Sequence, residues 1–325
     1  MRLNRFIKSF NAVKTGYSYF SGRITGHSIT SGMPVTAGIE ISNHCNLRCP
    51  ECHHGSGMIT RPAGFMKIEL FKKIIQEFRP YLYNINLYFQ GEPMLHPGFF
   101  EFLEASHGIK VTVSTNGHFL DENSAEKIAR SGLKIIIISL DGMDRETYSL
   151  YRKGGEFDKV INGIRNVSRA IRLTGSPLKL EIQFLVNRHN EKQIPSVRRF
   201  SKEVNARLKL KSIQIINDEN IDYWLPNIEK YSRYRRSNGN YIIRNRFDNH
   251  CWRLYLNPVV TWDGKVVPCC FDKNADHIMG DLNESSFREI WHGNMYIDFR
   301  NSVLTNRESI GICRVCTSGL HGVRY

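Results

Sequence analysis

The chain has 325 residues, of which 41% are hydrophobic, enough to bury the core of one large domain and a small second one. Its formal charge of +14 favours anionic partners such as phosphorylated metabolites, acidic peptides, nucleic acid or a membrane surface, without choosing among them. Eight cysteines in two groups with ligand-like spacings exclude a disulfide scaffold, and no long apolar segment suggests export or a membrane span. We therefore predict a cytoplasmic globular protein without a membrane partner.

Strands and helices are predicted to alternate from residue 37 onwards. Residues 1–35 contain four glycines and only a short helical pattern from Leu3 to Val13, which predicts a lead-in segment without a domain of its own. Apolar or alternating runs predict six strands at 37–42, 84–89, 109–114, 134–139, 179–186 and 209–216. Helical spacing predicts helices at 67–79, 121–131 and 157–173, and a fourth with Pro195 near its first turn.

Six βα units predict an α/β fold, a partial (β/α)6 TIM-like barrel over residues 36–220. Its parallel strands would place their carboxyl ends on one rim, where ligands of such folds bind. A basic linker at 221–250 and a small domain at 251–325 would follow. The run Arg233 to Arg236 with Tyr241 interleaves arginines and aromatics as single-strand binders do, but we expect a solvated linker and no nucleic-acid partner.

Three cysteines follow the first predicted strand, Cys45, Cys49 and Cys52, with the spacing C-x3-C-x2-C. Three thiolates can bind three corners of a cubane iron–sulfur cluster and leave one iron open, whereas closed clusters and structural zinc sites take four ligands. The alternatives are a zinc site completed by His53 or His54, and three unconnected buried cysteines. The motif resembles the radical S-adenosylmethionine (radical SAM) superfamily, in which the open iron chelates the amino and carboxylate groups of SAM.

The turn after the second strand, Gln90 to Pro93, resembles the GGEP motif of this superfamily, whose backbone accepts hydrogen bonds from the SAM amino group. Gln90 replaces the usual first glycine, and a plain turn would need the glycine and the proline but not the glutamate. By the same resemblance, the SAM-binding residues are Gly91, Glu92, Pro93, Ser114, Asn116, Ser139 and Arg152.

The sequence does not determine the roles of two of the rim residues. Arg152 is either a partner of the SAM carboxylate or a member of a surface ion pair. Members of the superfamily often carry an aromatic or apolar residue just before the third cysteine, against the adenine, and this chain has Glu51 there. The adenine contacts must therefore come partly from elsewhere.

A second cysteine group, Cys251, Cys269, Cys313 and Cys316, has enough ligands for a closed site. The dipeptide Asp263-Gly264 between them predicts a β-hairpin, followed by a short helix. The arrangement resembles the SPASM or twitch domain, in which these four cysteines would hold one auxiliary [4Fe-4S] cluster; structural zinc is the alternative. The adjacent Cys270 is either a small buried residue or a hydrogen-atom donor.

The resemblance implies that a reduced cluster cleaves SAM to methionine and a 5′-deoxyadenosyl radical, which abstracts hydrogen from a substrate. The electron would come from a donor such as flavodoxin or ferredoxin. We favour an oxidoreductase or epimerase acting on a small anionic metabolite, because Lys and Arg are in excess and residues 1–35 are too few for a peptide-recognition domain. A maturase of ribosomally synthesised peptides and a non-catalytic iron–sulfur protein are the alternatives.

Overall fold

The computed structural model describes residues 2–245 and 247–316. Its helices are α1 (Arg2–Thr25), α2 (Ile68–Phe78), α3 (Phe99–Ala105), α4 (Glu122–Arg130), α5 (Arg145–Tyr151), α6 (Phe157–Thr174), α7 (Ile194–Glu203), α8 (Ile221–Trp224), α9 (Arg253–Leu256), α10 (Phe287–His292), α11 (Asn294–Asn306) and α12 (Gly311–Arg314). Its strands are β1 (Thr36–Ile39), β2 (Asn84–Asn86), β3 (Lys110–Thr115), β4 (Ile135–Ser139), β5 (Lys179–Val186), β6 (Arg207–Ser212), β7 (Tyr234–Ser237), β8 (Asn240–Ile243), β9 (Val259–Val260), β10 (Lys265–Val267) and β11 (Gly280–Asp281).

Strands β1 to β6 run parallel and lie side by side in chain order, which confirms the predicted partial (β/α)6 barrel. Helices α2, α4, α6 and α7 each bury one apolar face in the core, as their helical spacing predicted. Helix α4 begins after Asp121, whose side chain accepts a hydrogen bond from the Ser124 N–H, and α6 ends at Gly175 in the left-handed conformation.

The C-terminal hairpin extends the barrel sheet, which the sequence did not predict. Strands β9 and β10 form the antiparallel hairpin expected around Asp263-Gly264, and β9 pairs parallel with β1. With β11 they complete a nine-stranded sheet in the order β11-β10-β9-β1-β2-β3-β4-β5-β6. Without β9, β1 would be an edge strand with unpaired backbone groups, so the hairpin covers this edge of the barrel.

Two segments outside the barrel hold more secondary structure than expected. The short helical pattern predicted from Leu3 to Val13 is part of the 24-residue helix α1, which continues through Gly16 and Gly22. Residues 221–243, expected to be a solvated linker, contain α8 and the hairpin β7–β8. None of the helices in the described part of the chain has the length and apolar character required to cross a bilayer.

Candidate active site and auxiliary cysteine site

A cavity of about 310 Å³ lies at the carboxyl ends of the parallel strands, where the sequence predicted the ligand site. The structure brings together there all but one of the predicted rim residues. They are Cys45, Cys49, Cys52, Gly91, Glu92, Ser114, Asn116, Ser139 and Arg152. The exception, Pro93, is buried at the start of the helical turn that follows Glu92.

The cysteine loop is held close to its neighbours by backbone contacts. The Arg48 N–H donates to the Lys153 carbonyl over 2.9 Å, and a Cβ at Gly55 would lie 2.4 Å from the Cys49 backbone, so only glycine fits there. Burial raises the pKa of Cys45 to about 11 and that of Cys49 to about 12, so these thiols hold their protons until a metal replaces them.

The three thiols of this loop fit an iron–sulfur cluster better than a single ion. In the part of the chain that the structure describes, no three His, Cys, Asp or Glu side chains converge as they would around one metal ion. A cubane cluster binds each thiolate at a different iron, so its ligands need not converge. Soft thiolate ligands also suit iron–sulfur chemistry better than hard cations such as magnesium.

The Gly91-Glu92 turn is fitted directly against the cysteine loop. Gly91 has a φ of +74°, and a Cβ at this position would lie 2.5 Å from the Asn43 carbonyl carbon, so both conformation and space require glycine. The Glu92 N–H donates to the His44 carbonyl over 2.7 Å. The two motifs that the sequence linked to SAM are therefore in contact through their backbones.

The Glu92 side chain holds the turn that follows β3. It is buried and accepts hydrogen bonds from the Thr115 hydroxyl at 2.7 Å and the Asn116 N–H at 2.6 Å. Burial raises the pKa of Glu92 to about 7, although these donors favour the carboxylate. These contacts account for a glutamate where a plain turn would not need one.

Asn116 ties the third strand to the cysteine loop. Its Nδ2 donates to Asn46 Oδ1 over 2.7 Å, and its Oδ1 accepts from the His118 N–H over 3.1 Å. Ser114 and Ser139 line the cavity on neighbouring strands. Short polar side chains are thus available at the wall where the resemblance expects the SAM ribose.

Arg152 belongs to a buried ion pair, not to a surface one. Its Nε and Nη2 lie 2.6 and 2.5 Å from Oδ2 of Asp141, whose side chain is 0% exposed. The second carboxylate oxygen of Asp141 accepts the Leu185 N–H over 2.7 Å. Nη1 of Arg152 lies 3.9 Å from the Cys49 sulfur, so the guanidinium borders the cysteine loop.

Two buried glutamates also organise the rim, and the sequence analysis assigned neither of these roles. Glu40 accepts two hydrogen bonds from Arg61, at 2.5 and 2.6 Å, and also faces the N–H groups of Gln90 and Trp262. The only signal was a charged residue within the apolar run at 37–42. Glu51 accepts the N–H of Ile216 over 2.6 Å, so this departure from the superfamily pattern fixes the segment after β6.

The second cysteine group is brought together by α9, the β9–β10 hairpin and α12. Burial, and then the charges of Cys251 and Cys316, raise the pKa of Cys313 to about 11 against the effect of Arg307, which hydrogen-bonds to this thiol. Burial also raises the pKa of Cys269, and Cys251 and Cys316 add to that shift. The four cysteines are therefore close enough to act on one another, as a four-ligand cluster requires.

Cys270 is next to the ligand candidate Cys269 and contacts Arg253. Its sulfur is 3.6 Å from Nη1 of Arg253. It is also near enough to Tyr88, which follows β2, for its charge to help burial raise the pKa of that phenol to about 12. Cys270 is partly exposed, as are the proposed ligands Cys251 and Cys269.

The sequence matches the radical SAM superfamily over residues 39–181 and the SPASM iron–sulfur cluster-binding domain over residues 251–317. It is 29% identical to a probable GTP 3′,8-cyclase of Methanocaldococcus jannaschii over 278 residues, 76% of this chain and 88% of that protein. It is 25% identical over 300 residues to the tungsten-containing aldehyde ferredoxin oxidoreductase cofactor-modifying protein of Pyrococcus furiosus, covering 81% of this chain and 82% of that protein.

Among solved structures, SuiB of Streptococcus suis bound to S-adenosylmethionine has a TM-score of 0.66 and 17% identity, covering 93% of this chain and 76% of that one. This likeness shows a common fold. The chain belongs to the radical SAM superfamily and carries a C-terminal SPASM domain. Its cofactors are SAM, a SAM-binding [4Fe-4S] cluster and the auxiliary iron–sulfur chemistry of the SPASM domain.

Proposed function

We propose that this radical SAM protein abstracts a hydrogen atom from a small anionic metabolite and thereby oxidises or epimerises it. When bound, the cofactors supply a 5′-deoxyadenosyl radical for this step. Cys45, Cys49 and Cys52 would hold the SAM-binding cluster, and Cys251, Cys269, Cys313 and Cys316 one auxiliary cluster. The rim turns would bind SAM, with Gly91 to Pro93 at its amino group and Arg152 near its carboxylate.

The observation that carries the anionic substrate is Lys211 on the inner side of β6. Leu185 of β5 lines the cavity and is paired in register with Lys211 of β6. Paired residues of neighbouring strands point to the same face of a sheet, so Lys211 lies on the cavity side. Leu208 and Leu210 alternate with it and pack against the core behind the sheet.

Among the described residues, Lys211 has no carboxylate partner, in contrast to its neighbour on the same strand. Lys209 lies 2.5 Å from the carboxylate of Glu181. No ion pair in the described part of the chain includes Lys211; burial first, and then the charges of Lys209 and Arg233, lower its pKa. A largely buried ammonium group without a carboxylate partner favours an anionic ligand, which would raise its pKa back toward the ordinary value for lysine.

Two further cations lie nearby. Lys273 of the SPASM domain lines the cavity and lies 4.9 Å from the centre of the Phe89 ring. Arg253 lies close enough to influence the pKa of Lys211. Phosphate or carboxylate groups of a substrate could therefore be bound from both the barrel and the SPASM domain.

The names of the relatives are compatible with an anionic metabolite as the substrate but do not identify the substrate class. The Methanocaldococcus relative is named for GTP, a phosphorylated small molecule. SuiB, in contrast, has been solved with the precursor peptide SuiA, so a maturase of a ribosomally synthesised peptide is the second candidate. We place the enzyme in the reducing cytoplasm, with a flavodoxin or ferredoxin as the electron donor, because its cysteines suit that compartment.

The test is deuterium transfer from labelled candidates into 5′-deoxyadenosine, using anaerobically reconstituted protein and a panel of phosphorylated and carboxylated metabolites. We expect transfer from one of them, with a KM that rises with salt because the attraction is electrostatic. Lys211→Met should raise this KM, while Lys179→Met, at the exposed start of β5, should not. Transfer from a small peptide, and from none of the metabolites, would establish the maturase instead.

A further inference from the structure

Helix α1 faces the protein with its polar side. Asn11, Thr15 and Ser18 are buried on this side. The Asn11 amide and the Thr15 hydroxyl donate to the Met33 carbonyl at 2.9 and 2.8 Å, and the Ser18 hydroxyl accepts the Ser31 N–H over 2.8 Å. Helices that cover a soluble core normally bury their apolar side instead. Apart from Tyr19, which belongs to the core and packs against Trp252 and Tyr255, the orientation of α1 is therefore reversed, and specific hydrogen bonds fix it.

The opposite side of α1 is an apolar stripe exposed to solvent. Its members recur at alternating intervals of four and three residues, which keeps them on one face of the helix. They are Phe6, Phe10, Val13, Tyr17, Phe20 and Ile24, each between 54% and 84% exposed. Single exposed apolar residues are ordinary, but a continuous stripe of aromatic and aliphatic side chains marks an interaction surface.

The charges beside this stripe select the partner. At about 100° per residue, Lys14 lies on one flank of the stripe and Arg5 and Arg23 lie on the other. All three are exposed, and the first 39 residues contain no Asp or Glu. Pairing two copies of α1 along the stripe would bring these cations together without any acidic residue to neutralise them, so the charges oppose a dimer. They complement an anionic surface.

We propose that α1 docks this protein on the surface of an anionic phospholipid bilayer. Its aromatic stripe would enter the boundary between headgroups and acyl chains, with Lys14 and the two arginines at the phosphates, as in helices that lie in the membrane interface. Binding at the bilayer surface differs from spanning the bilayer, and none of the described helices is long and apolar enough to span it. From the sequence we expected no membrane partner; the exposed stripe of α1 replaces that expectation for binding at a membrane surface.

The placement of α1 leaves the cavity accessible. Ser9 of α1 lies 3.3 Å from the Tyr83 hydroxyl, just before β2, and Lys8 is near enough to Lys110, the first residue of β3, for the two charges to interact. These contacts are at the amino ends of the strands, whereas the cysteine loop lies at their carboxyl ends. A protein bound through α1 would keep its catalytic rim away from the bilayer.

The test is flotation of anaerobically reconstituted protein with vesicles. We expect binding to vesicles of phosphatidylcholine and phosphatidylglycerol, weakening with salt, and little binding to phosphatidylcholine alone. Phe10→Ser with Phe20→Ser should lower the partition coefficient roughly tenfold or more, and Lys14→Glu with Arg23→Glu should abolish the lipid preference. Matched controls are Leu173→Ser and Arg235→Glu, which change exposed residues on other elements.

Two outcomes would overturn the proposal. One is that wild-type protein binds neither kind of vesicle at low salt. The other is a wild-type dimer, seen by sedimentation, that Phe10→Ser with Phe20→Ser converts to a monomer while vesicle binding is absent; the stripe would then be a self-association surface. Because both measurements are independent of SAM cleavage, they test this surface separately from the proposed enzymatic function.

Discussion

Four buried carboxylates at the rim of the barrel share one structural role. Each accepts a backbone N–H from a different segment of the chain and so fixes the position of a neighbouring turn. The pairs are Glu40 with Gln90, Glu92 with Asn116, Asp141 with Leu185, and Glu51 with Ile216. A partial barrel has no closed ring of strands to hold its loops, and charge-assisted hydrogen bonds between the turns supply that rigidity.

Glu92 gives the first prediction at the scale of single residues. In Glu92→Gln, an amide NH2 would replace one of the two oxygens, so either the Asn116 N–H or the Met94 N–H loses its acceptor, at a cost of about 1–3 kcal/mol. We expect a lower free energy of unfolding and weaker SAM binding, measured by anaerobic urea denaturation and calorimetry, with unchanged iron content. Glu104→Gln, on the exposed side of α3, is the control. Unaltered SAM affinity would show that Glu92 does not position Asn116 for the cofactor.

The Arg152–Asp141 pair gives a second prediction, which separates stability from cofactor binding. Arg152→Met leaves a buried, unpaired carboxylate and should destabilise the protein by about 3–5 kcal/mol. Adding Asp141→Asn removes that charge and should restore much of the stability. If Arg152 also binds the SAM carboxylate, the double variant should fold but bind SAM more weakly. Wild-type SAM affinity in the folded double variant would leave Arg152 with a structural role alone.

At this scale the sequence indicated which residues meet, but not how they interact. The cysteine spacing and the Gly91-Glu92-Pro93 turn predicted neighbours on one rim, because the carboxyl ends of parallel strands lie together. The partners of Glu40 and Glu51 could not be predicted, since Trp262 and Ile216 are 222 and 165 residues away in the chain. Such contacts depend on tertiary geometry that no local pattern encodes.

At the scale of elements, the two cysteine groups should hold separate clusters. We expect reconstituted protein to contain ~8 iron atoms per chain and the Cys45→Ala, Cys49→Ala, Cys52→Ala triple variant ~4, because each cubane has four irons. Cys49→Ala should abolish cleavage of SAM to 5′-deoxyadenosine, whereas Cys313→Ala should retain it. Zinc at the C-terminal group, or a folded Cys313→Ala protein that no longer cleaves SAM, would contradict this division.

Elements were predictable where their apolar periodicity was strong. Helix α6 carries Val160, Ile164 and Val167 on its buried face, and the structure places it within two residues of the predicted bounds. The full length of α1 was missed because its buried side is polar and its glycines suggested a break. The hairpin β7–β8 was missed because Tyr234, whose hydroxyl donates to the Ile215 carbonyl, lies in a run that is otherwise charged.

On the scale of the whole molecule, the SPASM domain is a continuation of the barrel and not an appendage. The register pairs Ile39 of β1 with Val260 of β9, and both are fully buried. Glu40 lies next in the chain and faces both Arg61 and the Trp262 N–H. The barrel rim and the SPASM segment near Lys273 therefore line the cavity together, and substrate contacts are expected from both.

This continuity gives the last prediction. Removing residues 251–325 would leave β1 as an unpaired edge strand and would expose the apolar surface that β9 and β10 now cover. We expect the truncated protein to aggregate and to lose the first cluster as well, measured by soluble yield and iron content. The matched control keeps these strands but replaces Cys251, Cys269, Cys313 and Cys316 with Ala, and should stay soluble with ~4 iron atoms. A soluble truncated barrel that retains ~4 iron atoms would show that the shared sheet is not required for folding. Loss of all iron in both proteins would instead show that the first cluster depends on the auxiliary cluster.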